Sequence, residues 1–189
     1  MLFLYWIAIF ILVGLSDADF SKPPEEEWVL NFDSPVYVCS DEISQTFVDT
    51  SGVEVQRHNE TTAFMTGKFK FFRGIEPCTV VELIVEKDKN GRAEVMATHD
   101  ICDLCAEMGP DSAYYKYLKY IGFPEDCPFD AGEYDINEFV PASDDMPVNA
   151  ANGGRYFVTI NFYHNPDCDC KEGRDFVGCL KLDFVIEPL

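Results

Sequence analysis

The sequence predicts an all-β fold, two antiparallel sheets packed as a disulfide-linked sandwich with one short helix. Three observations predict it. Apolar and polar residues alternate with period two in several separate stretches, as strands with one buried and one wet face require. Eight cysteines stand in a 189-residue chain behind an apolar leader, the usage of a disulfide framework in an oxidising compartment. Turn residues, including the Asn90-Gly91 pair, punctuate the alternating runs at hairpin spacing.

From the N-terminus, Leu2 to Leu15 is almost wholly apolar and Ser16-Asp17-Ala18 supplies small residues for cleavage. The run is short for a bilayer span, so residues 1–18 read as a secretory signal peptide. Residues 19–27, with Pro23-Pro24-Glu25-Glu26-Glu27, hold too little apolar surface to fold alone and read as a flexible acidic leader. A single domain then runs over 28–189.

Within it, Phe64 to Phe72 places Phe69 and Phe71 on one face and Lys68 and Lys70 on the other. Val81, Leu83 and Val85 share a face opposed by Glu82 and Glu86. Asn90-Gly91 tolerates the positive φ of a two-residue turn, so Arg92 to Ala97 returns antiparallel. Residues 111–121, rich in Tyr114, Tyr115, Tyr117, Leu118 and Tyr120, are predicted to form the capped helix. The polar stretch from Ala142 to Gly154 is a loop. After it, Tyr156, Val158, Ile160 and Phe162 form one alternating face, and Leu180, Leu182, Phe184 and Ile186 the last.

The chain carries 34 acidic against 14 basic residues, a formal charge of −20. Such a surface stays soluble by self-repulsion and does not attract nucleic acid or anionic head groups. Cys39, Cys78, Cys102, Cys105, Cys127, Cys168, Cys170 and Cys179 all follow the leader and are expected to form four bridges. Zinc or redox use of Cys102-x-x-Cys105 and Cys168-x-Cys170 is disfavoured in an oxidising lumen, so no metal and no cofactor is expected. Asn59-Glu60-Thr61 is an acceptor sequence for N-glycosylation,.

Only three histidines are present, and none stands in a nucleophile-elbow context. Thr98-His99-Asp100-Ile101-Cys102 locally resembles the His-Asp-x-Cys motif of secreted phospholipases A2, where the histidine is the base and the aspartate holds calcium. The adjacent upstream cysteines and the glycine-rich calcium loop of those enzymes have no counterpart, since Val95-Met96 stands there instead. A non-enzymatic protein is expected, with hydrolysis through His99 and Asp100 as the alternative.

The run from Ile121-Gly122-Phe123-Pro124 through Cys127-Pro128-Phe129, Gly132 and Tyr134 resembles the Cys-Pro-Phe-x-x-Gly-x-Tyr segment of ganglioside activator proteins. The sequon at Asn59, the Val80–Lys87 strand, the Ile101-Cys102-Asp103 step and the closing Gly178-Cys179-Leu180-Lys181-Leu182 fall in the same order. The resemblance implies the lipid-recognition (ML) superfamily, related to invertebrate chemosensory proteins. Its fold is an immunoglobulin-like β-sandwich splayed into a cup with a lipid cavity between the sheets. It also implies Cys39 paired with Cys179 and Cys102 with Cys127, leaving Cys78, Cys105, Cys168 and Cys170 open among three connectivities.

On that basis the chain is expected to be a secreted or lysosomal lipid carrier that holds acyl chains or a sterol without altering them. A glycosidase or a receptor is its possible protein partner, and membrane contact is at most transient. The expected cavity residues are Phe69, Phe71, Leu83, Val85, Leu118, Val158, Ile160, Phe162, Leu182 and Phe184, with Tyr114, Tyr115 and Met146 gating access. The family's exposed tryptophan loop is replaced here by the polar run Met146 to Tyr156, which favours carrying over extraction from bilayers. The competing reading is that the same inward rows fill a closed sandwich, or that the protein is a chemosensory or signalling ligand-binder.

Overall fold

A computed structural model describes residues 26–140, 147–171 and 173–189. The segment assigned as signal peptide, most of the acidic leader and Met146 lie outside the described residues. Among the described residues nine strands form two antiparallel sheets. They are β1 (Trp28–Phe32), β2 (Tyr37–Val38), β3 (Val48–Arg57), β4 (Ala63–Phe71), β5 (Thr79–Asp88), β6 (Ala93–Ile101), β7 (Gly132–Phe139), β8 (Gly154–His164) and β9 (Asp175–Pro188). The larger sheet runs β1-β9-β8-β5-β6, with β2 also on β9, and the smaller runs β3-β4-β7. The all-β sandwich is as the sequence predicts, except that two short α-helices occur among the described residues, α1 (Glu42–Gln45) and α2 (Tyr115–Tyr120).

Asn90 and Gly91 take φ of 60° and 81°, the mirror-image turn that matches strand twist. The Lys89 N–H donates to the Arg92 carbonyl at 2.8 Å. The returning strand β6 continues four residues past Ala97, to Ile101. It pairs only with β5, so it is a sheet edge, and residues 93–100 are exposed along their whole length. Charges at Glu94 and Asp100 and a bulge opposite Val85/Glu86 blunt this edge against pairing with another chain.

Four disulfides join all the cysteines of the described chain. Cys39 pairs with Cys179, as the family resemblance implies. Cys102 does not pair with Cys127: it bonds Cys170, while Cys105 bonds Cys127 and Cys78 bonds Cys168. Sheet register explains the correction. Thr79 stands opposite His164 and Val81 opposite Ile101, so the start of β5 and the ends of β6 and β8 share one margin of the sheet. Cys78, Cys102, Cys168 and Cys170 extend from those ends and meet there. Cys105, in the 3-10 turn Cys105–Glu107, is left facing the segment that the Ile75–Phe129 bridge holds alongside.

One end of the sandwich is plugged by aromatic rings. Phe47 is fully buried, 5.1 Å from Phe71 and 5.3 Å from Phe162 between ring centroids. Gly178 lies beneath it, where an added Cβ would come within 2.3 Å of the Phe47 ring. From the Cys-Pro-Phe-x-x-Gly-x-Tyr run, Tyr134 stacks on Phe69 and Phe129 packs tilted against Phe71. The opposite end closes on Phe184, stacked on Tyr156 at 5.1 Å, and on buried Ile186 and Val29.

The outer face of the larger sheet carries a charged cluster. The Glu82 carboxylate accepts from Asn161 Nδ2 (2.9 Å), Tyr163 Oη (3.0 Å) and the Arg174 guanidinium (2.9 Å), and Arg174 stacks over the Tyr163 ring at 4.2 Å. Burial works against ionisation of Glu82, but the three donors and the Arg174 charge outweigh it and hold its carboxyl below the ordinary glutamate value. The folded state therefore binds fewer protons than the unfolded one, so this stabilisation is present above that ordinary value and is lost as pH falls through the lowered one. Glu82→Gln should accordingly be less stable than the parent at pH 7, with the gap in urea midpoint closing in acid below the ordinary value of 4.5. A gap of constant size across that range would show that the carboxylate charge contributes nothing.

Candidate functional site

Between the two plugged ends the sheets enclose a cavity of about 370 Å³. Its size follows from how few strands cover one side. The six-stranded larger sheet is opposed by only β3, β4 and β7, and the remaining gap is roofed by the chain between Cys105 and Cys127 rather than by a fourth strand.

Leu83, Val81, Ile160, Phe162, Leu180 and Leu182 supply one wall, all from the inward rows of β5, β8 and β9. Met65, Phe69, Phe71, Ile136 and Phe139 supply the facing wall from β4 and β7. No polar atom contributes to the surface of the cavity, so it offers only dispersion contacts and the exclusion of water.

The roof is built by helix α2 and its stop signal. Gly122 takes φ of 75°, its N–H donates to the Lys119 carbonyl (3.2 Å), and the Phe123 N–H donates to the Leu118 carbonyl (3.1 Å). This paired closure is a Schellman turn, which brings the residue after the glycine against the residue five before it. Here those two are Phe123 and Leu118, and both face the cavity. A side chain at position 122 is excluded, because its Cβ would lie 1.8 Å from the Asp135 carbonyl oxygen of β7.

Tyr114 and Tyr117 complete the roof. The Tyr114 hydroxyl is hydrogen-bonded to His99 Nε2, an exposed group on β6. That pair marks the rim, since Tyr114 has its ring on the cavity and its hydroxyl beside a solvated imidazole. His99 stands opposite Leu83 in register, whereas its neighbour Asp100 stands opposite Glu82 and reaches Arg174 at 3.5 Å. Successive strand residues point to opposite faces, so the structure does not bring His99 and Asp100 together.

Of the residues expected from sequence, Phe69, Phe71, Leu83, Tyr114, Leu118, Ile160, Phe162 and Leu182 line the cavity. Four do not. Phe184 is 5% exposed and packed in the closed end on Tyr156. Val85 and Val158 pair with each other further along the same strands, half-buried beyond the cavity wall. Tyr115 turns outward to the Glu125 carboxylate, because successive helical residues diverge by about a quarter turn or more.

Ile136 and Phe139 were absent from the expected set, as were Tyr117, Ile121 and Phe123. The apolar spacing of Tyr114, Tyr117, Leu118 and Ile121, at three and four residues, is the signal that marks this inward helix face. Asn59 sits in the exposed turn between β3 and β4, its side-chain carbonyl accepting from the Thr61 N–H at 2.9 Å, which leaves its amide open to solvent. Among the described residues no group of three or more His, Cys, Asp or Glu is placed to hold a metal ion, and no helix is long and apolar enough to cross a membrane. The chain matches no protein-family model and no curated protein sequence.

Proposed function

We propose that this protein is a non-catalytic extracellular carrier of a lipid or similar apolar ligand, built on the lipid-recognition β-cup. One observation carries the reading: a 370 Å³ cavity with a wholly apolar surface lies where a closed sandwich would place packed side chains. Protein interiors fill such space to near crystal density, so a void this large loses contacts on every side. A hydrocarbon occupant restores them, gaining about 0.8 kcal/mol for each methylene removed from water.

The remaining features support the same reading. Four disulfides suit an extracellular or lysosomal compartment and keep the shell together without a fully packed interior. The acid excess keeps a loaded carrier dispersed. The order of sequence landmarks supports the superfamily assignment, and the accessible sequon supports glycosylation at Asn59 during secretion.

The test is displacement by cavity filling. Leu83→Trp places a large ring in the cavity from the floor of β5. The oxidised variant should keep the parent's thermal unfolding midpoint within a few degrees and bind a fluorescent fatty-acyl probe at least tenfold more weakly. Equal binding by a folded Leu83→Trp protein, or no probe binding by the parent, would sink the proposal. Native mass spectrometry of protein from a secreting host should additionally show a co-purified mass in the lipid range.

A further inference from the structure

We infer that the cavity takes a single-chain alcohol of about fifteen carbons, its hydroxyl donating to the phenol oxygen of Tyr114 beside His99. This rests on the carrier reading above and narrows it to one chemical class. Size sets the chain. A dry apolar cavity of about 150 Å³ holds one six-carbon ring, so 370 Å³ scales to roughly fifteen carbons. A lipid with two long chains exceeds that volume about twofold, and its second chain would remain in water.

Rim chemistry sets the head group. Within the cavity no polar atom is offered, which places the head at the rim, where the Tyr114 hydroxyl meets His99. If the Tyr114 hydroxyl donates to a bare Nε2, its oxygen keeps two lone pairs. If it accepts from a protonated Nε2, it keeps one. An alcohol can therefore donate to that oxygen in either tautomer. A carboxylate only accepts, and it finds a donor at Tyr114 in just one of the two. It must also approach a chain of net charge −20, whose long-range field disfavours anions.

The experiment displaces a fluorescent alkyl probe from the oxidised full-length protein at pH 8, using three series of equal chain length. These are 1-alkanols, carboxylates and alkyl methyl ethers, from ten to twenty carbons. Alkanol affinity should rise about fourfold per methylene and flatten near fifteen carbons. At that length the alkanol should exceed the carboxylate at least tenfold and the ether, which cannot donate, several-fold. Tyr114→Phe should abolish the difference between alkanol and ether.

Affinity still climbing at twenty carbons, a two-chain phospholipid competing as well as the alkanol, or carboxylates binding as tightly would each overturn the inference. Should Tyr114→Phe not fold, the chain-length break and the alkanol-to-carboxylate ratio of the parent decide the matter. Failure of the two hypotheses is distinguishable: a protein that binds no probe refutes the carrier, whereas one that binds probe without a length break or head preference refutes only the alcohol.

Discussion

Phe47→Ala should destabilise the fold by about 4 kcal/mol, within the range for a fully buried aromatic truncated to alanine. The site cannot collapse to soften the loss. Phe71 and Phe162 bracket the ring, both are fixed in strands, and Gly178 already brings backbone to the Phe47 side chain. For a domain of this size the thermal midpoint should fall by roughly 8–16 °C. Since Phe71 and Phe162 separate Phe47 from the cavity, truncation extends the void toward the plugged end. Urea and thermal unfolding of the oxidised variant measure the effect, and a loss below about 1 kcal/mol would show that the plug does not close the sandwich.

Replacing Cys39 and Cys179 together by serine should cost a similar amount, by a different physical route. The bridge spans a sequence separation of 140, but the Cys78–Cys168 bridge already shortens the covalent path between its ends to about 50 residues. Closing a loop of that length in the unfolded chain corresponds to about 4 kcal/mol in the chain-entropy treatment. The native contact should survive, because the Cys39 N–H still donates to the Cys179 carbonyl at 3.1 Å and β2 still pairs with β9. The variant is thus expected to keep its far-ultraviolet spectrum at 20 °C while unfolding at least 8 °C earlier. An unchanged midpoint would mean that the unfolded chain is already confined by the other three bridges.

Strands were legible where the alternation kept phase. β5, β8 and β9 each hold one inward row across the described cavity, and the Asn90-Gly91 turn fixes the β5–β6 pairing. β3 was not legible, for a reason visible in its register. Val48 and Thr50 are buried at even positions, but a bulge between Asp49 and Gly52 moves the buried row to Val53 and Val55, so no single alternation runs through the strand. In β7 a residue of positive φ at Glu138 shifts Phe139 onto the same wall as Ile136.

The disulfides show a second kind of limit. Their number follows from composition and compartment, whereas the partners of Cys102 and Cys105, only three positions apart, depend on which strand ends lie together across a sheet. The cavity is the third case. An inward apolar row looks the same in sequence whether it meets packed side chains or empty space; the decisive fact is that three strands and a short helix oppose a sheet of six strands, which no local pattern encodes.

The Cys105–Cys127 bridge makes the cavity roof a closed ring pinned at its base, carrying Tyr114, Tyr117, Leu118, Ile121 and Phe123. None of the nine strands passes through it. The ring is closed by its own disulfide and seated on the sheets by a few contacts, buried Met108 and Leu118 and the Phe123 ring stacked on Phe71.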